Sequence, residues 1–180
     1  MNSSKTFESY FSGETWVKVY SHNVEGGFFP SVYDGLQYNE DDPKANLYSI
    51  LYRLEEFRKD GVFHIRFCWE YLITRHKFPC NEWKQSSNFA IETTITDFEP
   101  LAITFEKSGV GGTFGGLGVS PPSFCCNLID DLPDHGNWFY SVGTVMGWAV
   151  GFPGPFPTDT MNAQIYIKTG NQSIFDEMII

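Results

Sequence analysis

The sequence predicts an α+β chain dominated by antiparallel β-sheet, sandwich-like, with one amphipathic helix at about residues 43–60 packed on a sheet face. Three observations carry that expectation. Aromatic residues make up 17% of the chain, and large rings favour the half-buried surface of a strand. Seventeen glycines and ten prolines imply many tight turns. Between Asp42 and Tyr71 the apolar period changes from helical to alternating.

Taken in order, residues 14–20 read as a first strand, with Trp16, Lys18 and Tyr20 on one face and Val17 and Val19 on the other. Gly26 and Gly27 then mark a turn, and a polar loop leads to Asp42. Asp42 suits a helix N-cap, and Pro43 suits the first helical position, where its missing N–H costs nothing. Leu47, Ile50, Leu51, Leu54 and Phe57 recur at helical spacing, Glu55 and Lys59 form an i,i+4 pair, and Gly61 ends the helix. In the strand that follows, Phe63, Ile65, Phe67, Trp69 and Tyr71 share one face. His64, Arg66, Cys68 and Glu70 share the other.

Residues 79–88 lose any clear period and read as an ordered loop around Trp83. Residues 90–98 alternate through Ile91, Thr93 and Ile95, and Leu101, Ile103 and Phe105 make a further strand. Residues 109–118 are glycine-dense and depend on packing of Phe114 and Leu117 for order. Residues 125–129 suggest a short strand, 130–137 an acidic turn, 138–148 an apolar strand and 152–157 a proline-rich turn unsuited to a sheet interior. Ala163, Ile165 and Ile167 alternate in a last strand. With 180 residues and no internal repeat, the chain suits one domain over 1–180.

The net charge is −10, with 12 basic against 22 acidic residues, and the sequence shows no run of clustered Lys and Arg such as phosphate neutralisation needs. Nucleic acid and anionic membrane surfaces are therefore poor partners. No apolar run approaches the roughly 20 residues needed to span a bilayer. The first twelve residues lack a signal-peptide pattern, which fits a cytosolic chain or a mature secreted one. Four cysteines allow three pairings. One candidate bond joins Cys68 or Cys80 to one of the vicinal Cys125 and Cys126, and the alternative is four unpaired thiols, some of them buried. Zinc is disfavoured because no C-x-x-C spacing occurs. Sequons at Asn2 and Asn171, the composition and the cysteines together favour an extracellular chain.

No enzyme motif is present: the glycine-rich segment lacks a phosphate-binding signature, and no histidine lies near a nucleophile motif. Asp130, Asp131 and Asp134 form the densest set of oxygen ligands, and calcium is the ion such carboxylates would hold. Trp83 and Trp138 lie beside Asn81, Gln85 and Asn137. Sugars bind by stacking on rings while amides read their hydroxyls, so these five residues are the candidate ligand-binding set.

Several segments resemble a domain of secreted and extracellular-matrix proteins of cnidarians and other marine invertebrates, of the uncharacterised skeletal organic matrix type, remotely fibrinogen-like. They are Trp16-Val-Lys-Val-Tyr20, Asn81-Glu-Trp-Lys-Gln-Ser-Ser-Asn88, Phe114-Gly-Gly-Leu-Gly118, Leu128-Ile-Asp-Asp131, Asn137-Trp-Phe139 and Pro153-Gly-Pro155. The resemblance implies an extracellular interaction module without catalysis. Together these readings predict a lectin-like module that binds a glycan or another matrix component. The alternatives are an acidic protein that associates with itself or with mineral, and a hydrolase using a histidine–carboxylate pair built on His64 or His135.

Overall fold

The computed structural model describes residues 15–71, 79–104, 113–119, 128–130, 140–145, 154–155 and 160–169. Ten strands follow in chain order: β1 (Trp16–Asn23), β2 (Leu47–Ser49), β3 (Phe63–Tyr71), β4 (Cys80–Gln85), β5 (Glu99–Ile103), β6 (Gly118–Val119), β7 (Ile129–Asp130), β8 (Tyr140–Ser141), β9 (Gly154–Pro155) and β10 (Thr160–Lys168). Six of them form one antiparallel sheet in the order β2-β1-β10-β3-β4-β5. β6 pairs with β7 and β8 with β9 in two short ladders. The protein is β-dominated, as its aromatic and turn-forming composition predicts. No helix of the described residues is long and apolar enough to cross a membrane.

Alternation places the core. Phe63, Ile65, Phe67 and Trp69 of β3 are buried, and they meet Ala163, Ile165 and Ile167 of β10 on the same face. Val17 and Val19 of β1 extend that surface, and a bulge between Lys18 and Tyr20 lets Tyr20 join it. Trp83, Phe89, Phe114 and Leu117 close it, with Phe114 set edge-on to the Trp83 ring at 4.9 Å.

The segment 43–60 departs from the expected helix. Asp42 does accept the Lys44 amide at 3.0 Å, as a cap would, but the chain then extends into β2, where Leu47–Ser49 pairs with β1. Leu51–Phe57 continues as a 3-10 helix. Leu51, Leu54 and Phe57 are buried at three-residue intervals, which a helix of three residues per turn stacks in one row. The ion pairs follow the same period: Arg58 pairs with Glu55 and Arg53 with Glu56, replacing the expected Glu55–Lys59 pair. Every apolar residue expected to face inward does so. Strand pairing with β1 decided the backbone.

Four further expectations change. Residues 80–85 form β4 and are not a loop. Residues 90–98 form turns in place of a strand, leaving Ile91 68% exposed. Gly154–Pro155, within the expected proline-rich turn, pairs with β8. The disulfide joins Cys68 to Cys80, because antiparallel pairing of β3 with β4 puts the two directly opposite, Cα to Cα 4.1 Å. Cys125 and Cys126 lie outside the described residues. The 113–119 segment is held as expected, with Phe114 and Leu117 buried.

Candidate functional site

On its second face the sheet carries polar side chains, and one end of that face opens into a cleft. The turn beside it is built from Lys59 to Val62, which bond to each other reciprocally (Lys59 N to Val62 O 2.9 Å, Val62 N to Lys59 O 3.0 Å). Asp60 and Gly61 both adopt positive φ, 50° and 83°, the backbone that an Asp-Gly hairpin turn requires. Arg58 fastens this turn. Its guanidinium lies 4.1 Å over the Phe63 ring and donates to Glu55, to the Gly61 carbonyl and to the Ser86 carbonyl at the end of β4.

Strand ends supply the rest. His64 of β3 stands opposite Lys84 of β4, and Lys168 ends β10. With Lys59, Asp60 and Val62 of the turn, these residues line a cleft of about 320 Å³ that Thr169 completes. Three of the chain's 12 basic residues therefore converge on one cavity in an otherwise acidic protein. Lys84 pairs with Glu99 at 3.3 Å, and Lys168 Nζ lies 5.8 Å from the Trp16 ring centre.

Behind the cleft wall runs a charged network. Glu82 Oε1 lies 2.6 Å from His64 Nε2, and its Oε2 accepts from Arg66 Nε (3.0 Å) and Nη2 (2.7 Å). A carboxylate that accepts from Arg66 can only accept, so Nε2 of His64 carries the donated proton. Trp16 joins the two side chains: Arg66 stacks on its ring at 3.9 Å, and His64 meets it edge-on at 5.0 Å. The imidazole is thereby fixed in tautomer and orientation beside the cavity.

The residues singled out from sequence are placed elsewhere. Asn81, Trp83 and Gln85 are fully buried on the core face of β4. The Trp83 indole N–H donates to Gln85 Oε1 at 2.8 Å. Gln85 Nε2 donates to the Ser87 carbonyl and hydroxyl and to the Leu117 carbonyl, each at 3.0 Å, while Leu117 N–H donates to Gln85 Oε1 at 3.1 Å. Asn81 Oδ1 accepts the Thr104 amide at 2.9 Å. Their polar groups organise the interior and are not presented to a ligand. Asp130 lies in β7, paired with Gly118. Asp131, Asp134, Asn137, Trp138 and His135 lie outside the described residues, and among the described residues no group of three His, Cys, Asp or Glu could hold a metal ion.

Sequence reasoning put His64 on the polar face of its strand but missed the lysines. The Asp60–Gly61 pair before an alternating run was the available signal, since that dipeptide marks a hairpin turn. Lys84 and Lys168 carried none, because only strand register brings them together.

Comparison of the chain with protein families, curated proteins and solved structures finds no match.

Proposed function

We propose that the chain is a non-enzymatic extracellular binding module, lectin-like, that takes a saccharide in the cleft between the Asp60–Gly61 turn and the ends of β3, β4 and β10. The observation that carries this reading is the cleft itself. Its 320 Å³ falls at the lower end of the range of small-molecule sites, roughly 300–1,000 Å³, and it is lined by Lys59, Lys84, Lys168 and His64. Ammonium donors suit sugar hydroxyls. The Cys68–Cys80 bond is compatible with an oxidising compartment, and the resemblance to invertebrate matrix domains points the same way. Asn137 and Trp138 remain candidates for sugar contacts, and Asp130, Asp131 and Asp134 for a calcium site.

A glycan array probed with purified protein, with and without calcium, tests the reading. Saturable binding to one glycan class that is weakened in Lys59→Ala supports it. Absence of binding in both conditions contradicts it.

A second reading, a hydrolase using a histidine–carboxylate pair, draws on the 2.6 Å contact between His64 and Glu82 in the cleft wall. It requires turnover of an ester or glycoside substrate that His64→Ala abolishes; a His64→Ala protein as active as the native one excludes it.

A further inference from the structure

We propose that the saccharide carries an anionic substituent, a sulfate or a carboxylate, seated among Lys59, Lys84 and Lys168. The inference rests on the binding reading above and deepens it. Lys59 is exposed and its side chain makes no hydrogen bond or ion pair among the described residues, so its ammonium is available to a ligand. Among the described residues Lys84 is held only by Glu99, in a pair 3.3 Å long whose side chains are 35% and 59% exposed. Exposed pairs of that kind contribute little, and an incoming anion competes for the ammonium at small cost. The third lysine enters from β10, so three lysines line the cavity from three separate elements.

Asp60 is the opposing group. Among the described residues its carboxylate is the one acidic side chain lining the cleft, and it repels an anionic substituent there. Removing that charge separates an anionic ligand from a neutral one. Asp60→Asn suits this purpose because the side chain keeps its shape and because asparagine readily adopts the positive φ of this position. Long-range repulsion from a protein of net charge −10 does not prevent binding, since charges farther apart than about 10 Å are screened at ordinary salt.

The test is calorimetric titration with four probes: a sulfated tetrasaccharide, its desulfated counterpart, a uronate tetrasaccharide and sodium sulfate. Circular dichroism confirms that each variant is folded. Either acidic tetrasaccharide should bind saturably, with the desulfated one at least about tenfold weaker, and Lys59→Glu should weaken the acidic ligand about tenfold. Asp60→Asn should tighten it about threefold. Equal affinity for the desulfated sugar, or an Asp60→Asn affinity that is unchanged, overturns the anionic inference and leaves the saccharide reading standing. Sodium sulfate binding as tightly as the sulfated sugar supports an anion site and overturns the saccharide reading. Absence of binding by all four probes overturns both.

Discussion

Trp83 donates its indole N–H to the side-chain carbonyl of Gln85, two residues along the same strand face, and both are sealed in the core. Gln85 in turn satisfies the Leu117 carbonyl and amide, so one polar side chain ties β4 to the glycine-rich segment 32 residues away. A tryptophan flanked by amides in sequence is here an internal anchor.

Trp83→Ala should therefore act on stability. It empties a fully buried ring site and leaves Gln85 Oε1 short of a donor, at a cost of about 3–5 kcal/mol. Urea denaturation measures this; a variant within 1 kcal/mol of the native protein would contradict the assignment.

Gly116 bears on the same junction. Its φ is 108°, and a Cβ there would lie 2.9 Å from both Gln85 Oε1 and Ile95 Cγ2. Gly116→Ala should lower stability by more than about 1 kcal/mol, read from the shift in thermal midpoint.

Acid should destabilise the fold through His22. Nε2 of this buried imidazole lies 2.9 Å from the Gly27 carbonyl, and the Tyr20 hydroxyl, which accepts the Gly143 amide, lies 3.4 Å from Nδ1. Burial pushes the imidazole down to about 4 against the partial support of the Gly27 carbonyl. The unfolded chain binds the proton near pH 6.5 and the folded one near 4, so the neutral imidazole's stabilisation is complete above pH 6.5 and is lost as pH falls toward 4. A shift of that size corresponds to about 3 kcal/mol. Unfolding free energies at pH 7 and pH 4 should differ by more in the native protein than in His22→Gln; equal differences would contradict the account.

Reduction tests the clamp between β3 and β4. Cys68 and Cys80 enclose a loop with a sequence separation of 12, and cross-links of that span stabilise by about 3 kcal/mol through the unfolded chain. The Cys68→Ser, Cys80→Ser double variant should lose about that amount in denaturant titration. An unchanged midpoint would mean that the register of the two strands holds without the bond.

Much of this architecture was legible because burial and periodicity agree. The apolar residues that alternate in β3 and β10 are buried, and Leu47, Leu51, Leu54 and Phe57 read as inward-facing and are. The conformation joining those residues was not legible, since spacings of three and four fit either helix type until Leu47–Ser49 pairs with β1. β4 was hidden for a different reason: Asn81 and Gln85 occupy core positions, so both of its faces look polar. The cleft was the least legible part. Its lysines come from a turn, β4 and β10, and only the order β10-β3-β4 brings them together.

The location of the site is open to a single direct measurement, amide chemical-shift mapping of the 15N-labelled protein with a bound saccharide. The account predicts shifts concentrated at Lys59, Asp60, Val62, His64, Lys84, Lys168 and Thr169, with Asn81 and Gln85 little changed. Saturable binding whose shifts leave those seven amides in place would contradict it.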